Sequence, residues 1–228
     1  MSILESLIAT LSPPECINCS KEGSALCESC SGTEIVPFGE RCWRCSARSA
    51  LGKTCQRCRS FGGPLFVWIT TDYDDTARTL VRRFKFGQQR PVAEALARLM
   101  ADTFHQFNPV ASAGYLLVPI PTATRRVRER GFDHTALLAR TLSRQLGLDS
   151  SRALGRLGQA RQLGALRTAR LAQAEGSYYV RLPTHIKGRP ILLVDDVVTT
   201  GGTLRAATKA LRAAGAKRVD ALIFAKRH

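Results

Sequence analysis

The sequence predicts an α/β fold, with a mostly parallel β-sheet flanked by helices and a small cysteine-rich module at the N-terminus. Short apolar segments such as residues 191–194 (ILLV) and 219–225 (VDALIFA) alternate with helical patterns, which is typical of buried parallel strands. All eight cysteines lie between residues 16 and 58. The 228 residues suffice for one well-packed domain and a small additional module.

The N-terminal residues 3–11 place apolar side chains on one face of a short amphipathic helix. They show neither the basic leader nor the long apolar core of a signal peptide. No apolar run in the sequence approaches the roughly 20 residues that span a bilayer. We therefore expect a cytoplasmic protein without membrane insertion.

The cysteines form four C-x-x-C pairs, which indicates structural zinc rather than disulfides or a redox site. Two such pairs complete one tetrahedral site. A segment this short and poor in apolar residues needs bound metal or cross-links to stabilise its fold. Disulfides require an oxidising compartment, and four redox pairs in one small module fit poorly. We expect one or two zinc ions, with sequential or cross-braced pairing, held by Cys16, Cys19, Cys27, Cys30, Cys42, Cys45, Cys55 and Cys58.

Glycine and proline in residues 60–65 (SFGGPL) mark a boundary between a cysteine module, residues 1–60, and the sheet domain, residues 61–228. Residues 65–70 predict a strand, and residues 76–86 and 92–104 predict helices with apolar positions at helical spacing. Their predicted core positions are Ala77, Leu80, Val81, Phe84, Val92, Leu96, Leu99 and Met100.

The C-terminal half continues the alternation. Residues 115–121 predict a strand, and a helix capped by Asp133 ends at Gly147. A loop-rich stretch covers about residues 150–176. After the strand at 191–194 come a helix over 203–215 and a strand over 219–225. Ligands of such sheets bind beyond the carboxyl ends of the strands, which is where Asp195 and Asp196 are expected.

The charge indicates a phosphorylated ligand or a polyanion. The formal net charge is +16, and residues 125–170 hold eleven arginines, no lysine and three acidic residues. A solvated face usually mixes signs and uses lysine freely, whereas arginine offers the paired donors that suit phosphate. Nucleic acid is one such ligand among several.

The segment TTGGT, residues 199–203, predicts a phosphate-binding loop. Glycines allow backbone N–H groups to close on an anion, and the following helix N-terminus favours negative charge. The adjacent Asp195 and Asp196 would repel a second phosphate, so they suit hydroxyl groups, and the combination predicts a ribose 5-phosphate. The sequence contains neither G-x-x-x-x-G-K-[ST] nor G-x-G-x-x-G, which argues against a P-loop and a dinucleotide fold.

Residues 191–203, ILLVDDVVTTGGT, resemble the phosphoribosyl pyrophosphate (PRPP) signature of type I phosphoribosyltransferases. Together with the four C-x-x-C pairs, RRFKFG, LVPIPTATRRVRERGFDH and AGAKRV, the chain resembles the ComF family, which is linked to competence for DNA uptake. The match spans nearly the whole chain, and the order of its motifs is highly specific.

This resemblance implies roles for individual residues. Asp195 and Asp196 would be the catalytic acids that bind the ribose hydroxyls, and residues 150–176 would form a hood. Mg²⁺ would chelate pyrophosphate and ribose oxygens. The 5′-phosphate ligands would be Thr199, Thr200, Gly201, Gly202 and Thr203; the pyrophosphate loop Thr122, Ala123, Thr124, Arg125 and Arg126; and the hood or basic residues Arg130, Gln162 and Arg170.

The chain departs from the family pattern at positions that concern the acceptor. Asp133 and His134 stand where the family has asparagine and glutamine, and Gln173 stands where it has asparagine. We interpret His134 as a polar residue at a helix start rather than a catalytic base, because no partner is identifiable. Lys85 matches a lysine–phenylalanine element of the family, although a surface lysine beside a core Phe84 and Phe86 explains it almost as well.

Three functional hypotheses follow from the sequence. The first is a ComF-like protein that binds PRPP with Mg²⁺ and serves natural transformation. The second is an active transferase that moves phosphoribosyl to a nitrogenous base or amine. The third is a non-catalytic protein that binds single-stranded DNA, although aromatic residues are not interleaved with the arginines as stacking platforms would require. The resemblance also implies the competence helicase machinery as a partner.

Overall fold

A four-stranded parallel sheet, in the order β1-β6-β5-β2, forms the centre of the protein. The computed structural model describes residues 13–87, 89–108, 114–156 and 178–228. A separate antiparallel pair joins β3 to β4. The strands are β1 (Val67–Asp72), β2 (Leu116–Pro119), β3 (Leu154–Arg156), β4 (Tyr178–Val180), β5 (Pro190–Val198) and β6 (Arg218–Lys226).

Eight helices are present among the described residues, together with one 3₁₀ turn at Ala50–Gly52. They are α1 (Glu28–Glu34), α2 (Gln56–Arg59), α3 (Asp75–Phe86), α4 (Gln89–Phe107), α5 (Thr124–Arg130), α6 (His134–Leu146), α7 (Pro183–Ile186) and α8 (Gly202–Ala213). None of those in the described part of the chain is long and apolar enough to cross a membrane.

Helices cover both faces of the sheet, as the uninterrupted apolar strands predict. Successive residues of β5 alternate between two cores, because side chains along a strand point to opposite faces. Leu192 and Val194 pack with α3, α4 and α6, whereas Ile191 and Leu193 pack with α8. The α/β fold with a mostly parallel sheet is confirmed.

The helix signals in the sequence are largely confirmed. Asp74 caps α3 by accepting a hydrogen bond from the Ala77 N–H at 2.8 Å, and Asp133 caps α6. Gly147, with φ 64°, ends α6 in the left-handed conformation that glycine adopts without strain. The predicted core positions in α3 and α4 are buried except Phe86.

Several boundaries differ from the prediction. β1 lies two residues later than predicted, and residues 154–156 form a strand inside the stretch predicted to be loop-rich. β5 does not end at Val194, because its pairing with β6 continues through Val198 and Lys226, so both aspartates lie within the strand. The predicted helix over residues 3–11 and most of the predicted hood lie outside the described residues.

The cysteine module packs along the β1 edge of the sheet, through bridges such as Lys53 to Phe66. Its two halves join different cores. Cys16 and Leu26 belong to the core of α3, α4 and α6, whereas Cys42 and Cys58 belong to the core of α8. The module is therefore part of the packing on both faces of the sheet.

Candidate functional site

The phosphate loop, residues 199–203, connects the carboxyl end of β5 to the N-terminus of α8. Gly201 caps α8 with φ 79°, and its neighbours Thr200 and Gly202 are exposed. In the described structure, the backbone N–H groups of residues 199–203 donate no hydrogen bond to a carbonyl. With no carbonyl partner among the described residues, and at the positive end of a helix dipole, these N–H groups would suit an anion.

Asp195 and Asp196 precede this loop in β5 and lie in different electrostatic environments. The half-buried Asp195 accepts a hydrogen bond from the Asp196 N–H at 2.9 Å. Burial and the neighbouring Asp196 charge raise the pKa of Asp195 well above its ordinary value. Burial also favours a raised pKa at Asp196, but His134 and Lys85 outweigh it, so the pKa of Asp196 is lowered.

Lys85 is the direct partner of Asp196. Its Nζ lies 2.5 Å from Asp196 Oδ2, and the two side chains are 20% and 6% exposed. The interpretation of Lys85 as a surface residue is therefore wrong. Phe86, predicted to be in the core, is 71% exposed, and the Arg130 guanidinium lies 4.9 Å from its ring centroid. Lys85 and Phe86 point in different directions because adjacent residues on a helix are rotated by about 100°.

His134 also has partners that the sequence did not reveal. The ring is buried; its Nδ1 lies 3.1 Å from Thr122 Oγ1 and 3.2 Å from an Arg130 nitrogen. Its Nε2 lies 3.7 Å from Asp196 Oδ2. A chain of polar contacts thus runs from Thr122 through His134 to Asp196 and Lys85, linking β2 to β5 at the carboxyl edge of the sheet.

The predicted pyrophosphate loop is only partly a loop, because Thr124 begins α5. Thr122 is buried, and Thr124 Oγ1 is buried without a hydrogen-bond partner among the described residues. Arg125 points to solvent and bonds Glu129 at 2.7 Å, and Arg126 is also exposed. The structure therefore places Thr122 in the polar chain, whereas Arg125 and Arg126 lie outside it.

A cavity of about 220 Å³ opens beside Thr124, with Asp133, Arg152 and Arg181 among the residues that line it. Arg181 follows β4, and Arg152 precedes β3. The predicted hood residues Gln162 and Arg170, and the departure at Gln173, lie between these strands and outside the described residues.

Tyr178 of β4 is a residue near the loop that no sequence signal identified. Burial raises the pKa of its hydroxyl, the nearby Asp195 charge adds to the effect, and Arg156 and the Thr203 side chain oppose it. Its position depends on the β3–β4 pairing, which local periodicity does not predict.

The cysteines form two groups of four, Cys16/Cys19/Cys27/Cys30 and Cys42/Cys45/Cys55/Cys58, and the Sγ atoms of each group lie within 4.8 Å of one another. This pairing is sequential rather than cross-braced. The Sγ atoms of Cys19 and Cys27 are 3.7 Å apart, as are those of Cys45 and Cys55. A tetrahedral zinc with Zn–S bonds of about 2.3 Å separates its sulfurs by about 3.8 Å.

Within each group, one cysteine has a lowered pKa and another a raised one: the neighbouring Cys27 thiol raises the pKa of Cys30, and burial raises that of Cys58. Burial raises the pKa of Cys16 and Cys42, but backbone N–H groups outweigh it and lower the two values to about 6 and about 7. Thiolates are the metal-binding form of cysteine. Both groups thus have the ligand set of a closed structural zinc site.

Comparison with known proteins places the chain in a family. A family model described as a phosphoribosyl transferase domain matches residues 136–228, which include β5, the phosphate loop and α8. Competence protein ComFC of Bacillus subtilis (strain 168) is 28% identical over 205 residues, covering 84% of this chain and 79% of ComFC. DNA utilization protein YhgH of Escherichia coli (strain K12) is 31% identical over 170 residues, covering 73% of this chain and 74% of YhgH. The chain belongs to the ComF family.

The ComF assignment agrees with the type I phosphoribosyltransferase fold and the cysteine module described above. Among solved structures, glutamine PRPP amidotransferase from B. subtilis matches 62% of this ComF-family chain at 15% identity, with a TM-score of 0.42. The matched part spans 30% of that longer protein.

Proposed function

We propose that this ComF-family protein binds PRPP with Mg²⁺ and serves DNA uptake. One observation supports PRPP binding most strongly: two acids near the carboxyl end of β5 are followed by a loop whose N–H groups donate to no carbonyl of the described residues. The 5′-phosphate would bind residues 199–203, and the ribose hydroxyls would face Asp195 and Asp196. The role in DNA uptake is supported by the names of the relatives, a competence protein and a DNA utilization protein.

Mg²⁺ would enter with PRPP rather than bind the acids beforehand. Asp196 already pairs with Lys85 at 2.5 Å and faces His134, so its carboxylate is not free for a cation. Mg²⁺ prefers few protein ligands together with substrate phosphates. When bound to PRPP, it would supply charge neutralisation for the pyrophosphate, while the residues of the chain position the sugar.

Titration calorimetry with PRPP and Mg²⁺ tests the binding proposal. The variant Asp195→Asn/Asp196→Asn should lower affinity by about 100-fold, because hydrogen bonds to a charged group contribute about 1.5–3 kcal/mol each. Asp72→Asn is a matched control, since Asp72 is an ion-paired acid at the carboxyl edge of β1, bonded to Arg41 at 2.7 Å. Equal affinity of the wild type and the double variant would contradict the proposal.

Phosphoribosyl transfer is a second candidate, favoured by the buried His134 between Thr122 and Asp196. A group in this position can hold or move a proton beside the ribose. Pyrophosphate release in the presence of PRPP and a panel of nitrogenous bases and amines measures turnover. Release with one acceptor, lost in His134→Ala, supports a transferase, whereas no release with any acceptor favours a binding protein.

Single-stranded DNA is a further proposed ligand. Arg125, Arg126 and Arg128 of α5 are exposed at the same edge of the protein as the polar chain. If several of these arginines contact phosphates, DNA affinity should fall steeply with salt concentration. A shallow salt dependence would argue against the DNA proposal and leave PRPP binding unaffected.

A further inference from the structure

Trp43 contacts the phosphate loop, although it belongs to the cysteine module. Its side chain is buried, and its six-membered ring packs directly on Gly201. A Cβ atom added to Gly201 would lie 2.1 Å from Trp43 Cζ3 and 2.4 Å from Cη2. Contacts under 3.0 Å are not tolerated by real Cβ atoms. Two features therefore favour glycine at position 201. Its φ is 79°, and the indole ring packed against it leaves no room for a Cβ atom.

Several contacts fix the orientation of this indole ring. Trp43 Nε1 donates to Thr54 Oγ1 at 2.9 Å, and Thr54 in turn donates to the Pro64 carbonyl at 2.7 Å. A Cβ added to Gly63 would lie 3.0 Å from Trp43 Cζ2, so the ring also packs closely against Gly63. Phe61 contacts the ring edge-on, with centroids 5.9 Å apart. The ring is thus held on several sides before any ligand binds.

Trp43 lies between two cysteines of the second cluster. Trp43 immediately follows Cys42, and Cys45 lies two residues further on, so two ligands of one cluster flank it in the sequence. Both Cys42 and Cys58 belong to the same hydrophobic core as Trp43 and Leu204 of α8. Loss of the metal would release the turn that carries Trp43, because this short segment has little other regular structure.

Helix α8 is tied to the same region by two arginines. Arg212 Nη2 donates to the Gly63 carbonyl at 3.1 Å, and the Arg205 guanidinium lies 5.4 Å from the Phe61 ring centroid. The Arg205 N–H also donates to the Gly201 carbonyl at 3.0 Å. The cysteine module and the phosphate loop therefore meet in one continuous packed region.

We propose that Trp43 is a positioning residue for the phosphate loop, and that the metal in the Cys42/Cys45/Cys55/Cys58 cluster keeps it in place. The role of the loop in ligand binding rests on the proposed PRPP function, but the ordering of the loop by Trp43 does not. The first cluster has no such role, because it packs against α4 on the other face of the sheet, where Arg98 donates to the Leu26 carbonyl.

The two tryptophans of the chain provide a matched test. Trp68 is also buried, and its Nε1 also donates a hydrogen bond, to the Leu51 carbonyl at 3.0 Å, but it packs in the core on the other face of the sheet. In ligand-free protein, Trp43→Leu should speed hydrogen exchange of residues 205–208, the first hydrogen-bonded N–H groups of α8, by about tenfold or more, a loss of local order equivalent to about 1.4 kcal/mol. Trp68→Leu should lower the melting temperature without a selective change in this segment. Trp43→Phe, which keeps an aromatic ring on Gly201, should restore most of the protection.

A cysteine pair tests the role of the metal. Cys19 and Cys45 are both exposed, and each is the second cysteine of its C-x-x-C pair, but they belong to different clusters. Cys19→Ser and Cys45→Ser should each reduce the zinc content by about one ion per chain, since each removes one of four ligands. Only Cys45→Ser should speed exchange of residues 205–208. Equal effects of the two variants, or no effect of either, would overturn the proposal.

Ligand binding separates this proposal from the proposed function. If the wild type binds PRPP, Trp43→Leu should weaken it about tenfold, while Trp68→Leu stays within about threefold. If the wild type does not bind PRPP, the proposed function fails, yet the exchange of residues 205–208 still decides whether Trp43 orders the turn into α8. Unchanged exchange in Trp43→Leu would refute the inference whatever the ligand.

Discussion

At the scale of single residues, Asp195 and Asp196 show how adjacent identical side chains acquire opposite properties. The pKa of Asp195 is raised by burial and by its neighbour, whereas the pKa of Asp196 is lowered by His134 and Lys85, which outweigh burial. In the proposed complex, both carboxylates accept hydrogen bonds from ribose hydroxyls. Asp195 therefore carries an electrostatic cost in the free protein that ligand binding would offset.

The raised pKa of Asp195 predicts that Asp195→Asn stabilises the ligand-free protein at pH 7. The folded state holds the Asp195 proton more tightly than the unfolded chain, so this contribution to stability is present at low pH and is lost as the pH rises. Removing the charge at pH 7 should raise the melting temperature by about 2–4 °C if it contributes about 1 kcal/mol. Thermal melts at pH 7 and near pH 4 measure the gain, which should shrink at the lower pH.

Asp196→Asn is the control for Asp195→Asn, because it should lower the melting temperature at pH 7 instead of raising it. The lowered pKa of Asp196 means that its contribution is present above the ordinary carboxyl pKa and is lost as the pH falls. Its replacement leaves Lys85 buried without its partner, which costs about 3–5 kcal/mol when a buried pair is broken. A lower melting temperature in both variants at pH 7 would contradict the assignment of opposite environments.

At the scale of elements, the connection from β5 to α8 determines the shape of the site. β5 extends through Val198 because β6 continues alongside it, and Gly201 then turns the chain into α8. The turn requires a positive φ and leaves no room for a side chain beneath Trp43. Both requirements predict that glycine at this position cannot be replaced.

Gly201→Ala should therefore lower both stability and PRPP affinity. A non-glycine residue at this φ costs about 1–3 kcal/mol, and the overlap with Trp43 adds a similar amount through overpacking. Gly188→Ala is a matched control, because Gly188 has φ 74° but nothing within 4 Å of an added Cβ atom. Chemical denaturation and PRPP titration measure the two effects.

The control variant should lose about 1–3 kcal/mol of stability through backbone strain and keep wild-type affinity. If Gly201→Ala behaves like Gly188→Ala in both measurements, the close packing of Trp43 on the loop contributes to neither stability nor PRPP affinity.

The sequence predicted the elements well where the signal is local. Apolar periodicity predicted α3, α4 and α6, and the C-x-x-C spacing predicted that the eight cysteines group as possible metal ligands. It did not predict α5 or the β3–β4 pair, whose formation depends on neighbouring structure. The extension of β5 was also missed, since the length of a strand depends on its partners rather than on its own residues.

The candidate site shows the same limit. The residues of ILLVDDVVTTGGT were identified because the whole motif is continuous in the sequence. The partners of Asp196 were not, because Lys85 and His134 come from α3 and α6 and meet β5 only through the fold. Trp43 carries no signal of its role except its position between two cysteine ligands. Contacts between distant segments therefore account for most of what sequence patterns could not supply.

At the scale of the whole molecule, the two ends of the sheet carry separate polar networks. The polar chain of Thr122, His134 and Asp196 lies at the carboxyl edge, where ligands bind in open α/β sheets. At the opposite edge, Tyr115 donates to Asp220 at 2.5 Å, and Asp220 also accepts from the Phe66 N–H at 3.0 Å. This second network joins the starts of the strands and contacts none of the site residues.

Tyr115→Phe should accordingly change stability but not function. The hydroxyl is one of several partners of the fully buried Asp220, so its loss should cost about 1–3 kcal/mol. Calorimetric PRPP affinity should remain within twofold of the wild type, since the two networks lie at opposite ends of the strands. A large loss of affinity without unfolding would show that the two ends of the sheet are coupled.

In the proposed function, the loop after β5 holds the 5′-phosphate of PRPP. Hydrogen exchange measured with and without PRPP and Mg²⁺ tests it most directly, because the backbone N–H groups of residues 199–203 are the proposed ligands. We predict that PRPP slows exchange in this segment and that Asp195→Asn/Asp196→Asn removes the protection. Unchanged exchange at residues 199–203 under saturating PRPP, or protection confined to other segments, would contradict the account.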